Sequence, residues 1–141
     1  MLTRTDLQQI CLSRLEEAKI LLAAGKPDAA AYIIGYVMET AFKARICKIL
    51  DVDYPDTSEV GRVFKTHKYS ELILLAGLQK EIDSKKTTSV KFKTNWSIVE
   101  FWNEAKRYEP IGSNSTAYVT TIITALEDPT DGILTWIKSL W

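Results

Sequence analysis

Residues 27–50 read PDAAAYIIGYVMETAFKARICKIL, and two apolar stripes run along them at helical spacing. Ala30, Ile33, Ile34, Val37, Ala41 and Ala44 form one stripe; Met38, Phe42, Ile46 and Ile49 form the other. Tyr32, Tyr36, Glu39, Lys43 and Cys47 lie between them. A helix apolar over so much of its circumference belongs at the centre of a bundle, or in a bundle that also offers a surface to a partner. Pro27 suits the first turn, where its missing N–H costs nothing. Gly35 in the interior costs about 1 kcal/mol against alanine, which the close approach of another helix would explain.

On the N-terminal side, Leu7, Ile10, Cys11, Leu15, Ala18, Leu21 and Leu22 repeat with the same period. Thr5 and Gln8 have the spacing of a capping box, and Gly25 can supply the left-handed residue that ends the helix. So short a connection makes the two helices antiparallel. Cys11 then faces roughly position 40, about 10 Å short of Cys47 at the helical rise per residue. That is beyond disulfide reach, so two reduced, buried thiols in a cytoplasmic protein are expected.

On the C-terminal side, residues 51–65 carry turn formers and little periodicity, which predicts a loop. Thr66 can cap a helix over residues 67–76, stopped by Gly77, with Leu72, Leu75 and Ala76 inward. A short helical continuation fits residues 78–83. The polar, β-branched run KKTTSVKFKTN, residues 85–95, suits either a loop or a short extended piece. A helix over 96–108 would bury Ile98, Phe101, Trp102 and Ala105 before Pro110 stops it. Ser115 or Thr116 opens the next, with Val119, Ile122, Ile123 and Leu126 on one side. A last helix from Pro129 or Thr130 presents Ile133, Trp136, Ile137 and Leu140. The fold class is all-α: an up-down bundle of five to six helices in a single domain, residues 1–141.

At 141 residues the chain can bury a core of its own. Lys plus Arg, 18, equals Asp plus Glu, 18, so any anion site must be local. No run approaches the roughly 20 apolar residues of a bilayer span, and the polar N-terminus lacks a signal-peptide core. His67 is the single histidine, which excludes a multi-histidine zinc site. Without a glycine-rich phosphate loop or a Ser-His-Asp order, neither metal nor cofactor is expected.

Glu39 and Lys43 in AYIIGYVMETAFKARICKI, the helix start THKYSEL with His67 and Leu72, and Trp102 ahead of Arg107-Tyr108 follow one another over nearly the whole chain. In this order they resemble the HEPN family (higher eukaryotes and prokaryotes nucleotide-binding domains). The resemblance implies an up-down helical bundle that dimerises near a polar site. It also implies RNA cleavage, nucleotidyltransferase partners, or a role in bacterial defence and toxin–antitoxin pairs. The family's ribonuclease signature is an arginine followed, after four to six residues, by a histidine at the end of the fourth helix. Arg107 matches the arginine, but the matching positions hold Gly112, Ser113 and Asn114. Asn114 can hydrogen-bond yet cannot exchange a proton near neutral pH. Arg62 and His67 have the signature's spacing but lie elsewhere, between the second and third helices.

Each site residue also has a plainer role open to it. Glu39 and Lys43, four apart, make a surface ion pair of about 0.3–0.5 kcal/mol, or a half-buried pair that orients Arg107 or lines a dimer groove. Arg107 suits a solvated helix C-terminus or a ligand contact. His67 suits a helix-start hydrogen bond or a phosphate contact. Lys80, Lys85, Lys86, Lys91 and Lys93, with Phe92 and Trp96, form a solvated loop or a nucleic-acid surface with some stacking. Tyr32, Tyr36, Trp136 and Trp141 are core or interface residues, and the second stripe of residues 27–50 argues for a homodimer. The leading expectation is a non-enzymatic, dimerising HEPN-like module that binds a protein, or a nucleotide or RNA, through Arg107, Asn114, His67, Lys43 and Glu39. The alternative is a divergent metal-independent RNase using Arg107 and His67.

Overall fold

The computed structural model describes residues 2–55 and 60–141, which form eight α-helices and one 3-10 helix, with no strand among the described residues. The all-α expectation holds; the number of helices exceeds five to six because the second half of the chain is cut into short pieces.

Helices α1 (Arg4–Ala23) and α2 (Pro27–Leu50) form the antiparallel hairpin. Thr3 caps α1 with Asp6, two residues ahead of the Thr5–Gln8 pair: Asp6 N donates to Thr3 Oγ1 at 3.1 Å and Thr3 N to Asp6 Oδ2 at 2.9 Å. A carboxylate in the first turn also complements the helix dipole, which an amide does not. Gly25, with φ of 74°, ends α1 while its N–H reaches the Leu22 carbonyl at 3.1 Å and that of Lys26 reaches Leu21 at 2.9 Å. This paired closure reverses the chain in three residues.

α2 is the central element, packed against α1, α4, α7 and α8. Met38, Phe42 and Ile46 of its second stripe are as fully buried as Val37 and Ala41 of the first, and only Ile49 is left half exposed. Phe42 meets the Tyr69 ring edge-on at 5.7 Å, so this stripe is covered from within the same chain. The surface from which homodimerisation was expected is therefore already occupied. Cys11 lies against Thr40, the register expected of the hairpin, and both cysteines are free and buried.

Beyond the hairpin, α3 (Gly61–Phe64) interrupts the expected loop, while residues 56–59 of that loop lie outside the described residues. Phe64 is drawn inward, its carbonyl accepting from the Tyr54 hydroxyl at 2.7 Å. α4 (Tyr69–Leu75) starts two residues later than His67, because Thr66 folds a turn of its own. Its hydroxyl accepts from Lys68 N at 3.1 Å and donates to Glu71. Residues 85–95 are helical: α5 (Gln79–Thr88) and α6 (Val90–Val99) meet at Ser89, whose Oγ accepts from Phe92 N at 3.0 Å. Phe92, Asn95, Trp96 and Val99 supply the inward face that the polar composition conceals.

The helix expected over 96–108 breaks after Val99. Trp102 swings back over α2 and donates through Nε1 to the Ala31 and Tyr32 carbonyls at 3.1 and 3.2 Å. Phe101 is consequently 73% exposed and Ala105 exposed rather than buried. The chain resumes as the 3-10 helix Glu104–Tyr108, opened by Asn103. A Cβ on Gly35 would stand 1.7 Å from Trp102 Cε2, so the close approach at that glycine is made by an indole and not by another helix.

α7 (Thr116–Glu127) is capped by Ser115, and α8 (Ile133–Lys138) starts later than Pro129. Asp128 first takes the amides of Thr130 and Asp131 at 3.0 and 2.8 Å in a turn of its own. Among the described residues no helix is long and apolar enough to cross a membrane.

Candidate functional site

Tyr32, Tyr36, Glu39 and Lys43 recur every three or four residues and so share one side of α2. Glu39 is 3% exposed. Lys43 Nζ donates to its Oε1 at 2.7 Å, and His67 Nδ1 lies 3.0 Å from both carboxylate oxygens. Of the two readings of this pair, surface or half-buried, the second holds, and a third member arrives from the α3–α4 connection. A carboxylate only accepts, so the shared hydrogen sits on Nδ1 and Nε2 is left free of this contact. The imidazole remains 47% exposed, turned away from the carboxylate that holds it.

One turn toward the N-terminus, the Tyr32 and Tyr36 hydroxyls meet at 2.9 Å. Burial first, then the Tyr32 hydroxyl, pushes the Tyr36 phenol well above its ordinary range, so it stays protonated. One hydroxyl donates to the other, and a second O–H remains to be offered. Arg107 reaches this pair from the 3-10 helix. The Tyr32 hydroxyl, and next the Tyr108 phenol, hold its pKa above the usual arginine value, and its guanidinium lies 4.9 Å from the Tyr108 ring centre. On the other side Tyr36 meets the His67 ring edge-on at 6.2 Å and the Trp102 ring at 5.1 Å.

Three of the five expected site residues, His67, Glu39 and Lys43, therefore form one hydrogen-bonded group, and Arg107 lies beside the tyrosines next to it. Arg107 and His67 share no hydrogen bond. Asn114 stands apart, 4% exposed. Its Nδ2 donates to Asp28 at 3.1 Å and Glu109 at 2.9 Å, and its Oδ1 accepts from Lys106 at 3.4 Å. Asp28 also takes the amides of Gly112 and Asn114, and these three contacts lower its pKa. This knot ties the loop after the 3-10 helix to the start of α2 and engages both Nδ2 hydrogens of Asn114 within the chain.

Two concavities flank the group. The first, about 490 Å³, opens between α1 and α2. Leu7, Ile10 and Ile33 give it apolar walls, with Tyr32, Tyr36, Glu39 and Lys43 as the polar side. Arg14 at its edge is held by Glu17, both carboxylate oxygens at 2.6 Å. The second, about 520 Å³, lies between α3 and α4 and contains the exposed side of His67 together with Arg62, the other residue of the displaced signature spacing. The nucleic-acid alternative for the lysine segment loses its stacking partners: Phe92 and Trp96 are 0% and 4% exposed. Among the described residues no three His, Cys, Asp or Glu side chains gather as a metal ion would need.

Sequence reasoning placed Tyr32 and Tyr36 only as core or interface, and it missed Tyr54 and Arg14. The signal for the tyrosines was present: polar-tipped rings on the same stripe as Glu39 and Lys43. Comparison with protein-family models, with curated proteins and with solved structures finds no match.

Proposed function

We propose that the chain is a non-enzymatic binding module of HEPN-like build that holds a nucleotide, or a nucleotide of an RNA strand, between α1 and α2. The observation that carries this is the Lys43–Glu39 pair, steadied from behind by His67, beside the Tyr32–Tyr36 hydroxyl pair on the polar wall of a cavity of about 490 Å³ that Leu7, Ile10 and Ile33 line on its apolar side. Mostly apolar walls with a few convergent polar groups are the usual make-up of a small-molecule site. The free hydrogens of that wall belong to Lys43 and one tyrosine, so it favours a ligand rich in acceptors. Glu39 is already engaged by two donors and serves to hold Lys43 and His67 in place. Dimerisation, a nucleotidyltransferase or other protein partner, and a setting in bacterial defence or toxin–antitoxin pairs enter this reading through the family resemblance alone.

The test is calorimetric titration of the purified chain with the four ribonucleoside monophosphates and with a short single-stranded RNA. Saturable binding weakened at least tenfold by Lys43→Met or Tyr36→Phe is expected. No heat from any of them would end the proposal.

A second reading, the divergent metal-independent RNase, is favoured by the bond from Glu39 to His67. It fixes the imidazole tautomer as an acid/base needs. Cleavage of single-stranded RNA in the presence of a chelator, abolished by both Arg107→Ala and His67→Ala, would replace the binding module with this enzyme.

A further inference from the structure

We propose that the cleft between α3 and α4 is a docking groove for an acidic amphipathic segment of a partner protein. Its floor is apolar. Val63 is 59% and Leu74 72% exposed, and with half-buried Leu75 they line one concavity of about 520 Å³. α4 is anchored by Tyr69, Leu72 and Ile73, all buried, so the core does not require Leu74 to be apolar. A single exposed leucine is ordinary. Two large apolar side chains meeting in one hollow are what binding surfaces are made of.

The rim carries the charge. Residues 61–68, GRVFKTHK, hold Arg62, Lys65 and Lys68 and no acid, in a chain whose charges balance as a whole. All three line the cleft. Of the two acids there, Glu71 is taken by the Thr66 hydroxyl and by Lys68 Nζ at 3.5 Å, and Glu104 is the other. Opposite charge steers and registers a partner.

The groove is also held in shape. Tyr54 grips the Phe64 carbonyl and packs edge-on against its ring at 5.8 Å, and Glu39 holds His67 from behind. A preformed groove reduces the ordering cost of binding. Nucleic acid has little to stack on here, because the nearby rings of Phe64 and Tyr69 are 9% and 6% exposed and His67 is the one ring that lines the cleft. A helix with leucines on one face and carboxylates beside them matches both floor and rim.

The probe is a fluorescein-labelled synthetic helix with leucines three and four residues apart and glutamates between them, titrated with the whole chain and followed by anisotropy. Saturable binding is expected, weakened at least tenfold by Arg62→Glu and by Leu74→Asp. Both side chains lie on the surface, and circular dichroism confirms that each variant is folded. Polyglutamate should not bind, and an excess of the ribonucleoside monophosphates should not displace the peptide, which separates this groove from the nucleotide cavity. The proposal fails if the peptide does not saturate, or if polyglutamate or a single-stranded RNA binds equally well. It also fails if either substitution leaves affinity intact, or if Leu74→Asp converts a dimer into monomers in sedimentation, since a second copy would then be the occupant.

Discussion

Glu39 is the residue on which the site turns. Replacing it with glutamine leaves Lys43, 15% exposed, without its counter-charge and weakens the hold on His67. A loss of about 2 kcal/mol is expected in urea unfolding. Glu39→Leu combined with Lys43→Met should recover most of it, since removing both members of a buried pair costs far less than removing one. Gly35→Ala is a steric prediction of another kind. Its new methyl would overlap the Trp102 indole, and displacement of that ring should cost about 3 kcal/mol, read in the same unfolding assay. The spacing and partial burial of Glu39 and Lys43 were legible in the sequence; their third partner was not, because it is a histidine 28 positions away in the chain from Glu39. The contacts of Asn114 were hidden for a similar reason. Its match was to a motif position, while its partner Asp28 sits 86 residues away.

At the level of elements, the hairpin could be read directly because Gly25 and Pro27 act through backbone geometry that tertiary packing does not override. The break after Val99 could not, since no glycine or proline marks it and the gain comes from Trp102 reaching α2. Residues 85–95 were obscured by a polar composition in which Ser89, a capping residue, was the one local signal. Ser89→Ala should therefore cost about 1 kcal/mol, measurable by thermal unfolding. The turn at Asp128 carries a pH signature. Lys91, 2.6 Å away, and the amides of Asp131 and Thr130 hold its folded pKa at about 2, below the ordinary 3.8. A carboxylate depressed on folding contributes stability that is complete above its unfolded pKa and is lost as pH falls through the folded one. Asp28 shifts in the same direction. Urea midpoints should thus drop between about pH 4 and pH 2, and Asp128→Asn should flatten that drop while lowering stability at neutral pH.

For the whole molecule, the consequence of a buried second stripe on α2 is that one protomer closes its own core. Light scattering at micromolar concentration would reveal any pairing, which must then use a face other than that stripe. The thiols report on the same closure. Burial raises the Cys11 pKa to about 12 and also lifts that of Cys47. Neither should react with a thiol-exchange reagent at pH 8 until denaturant is added, after which both should react at once.

Gly35 and Trp102 constrain one another across 67 positions of sequence in a way that reaches past this chain. An indole seated on bare backbone leaves no path through single substitutions: enlarging the glycine first expels the ring, and shrinking the ring first opens a hole. Descendants of this fold should keep both residues or exchange them together, and such paired inheritance would trace its lineage even where the rest of the sequence has drifted.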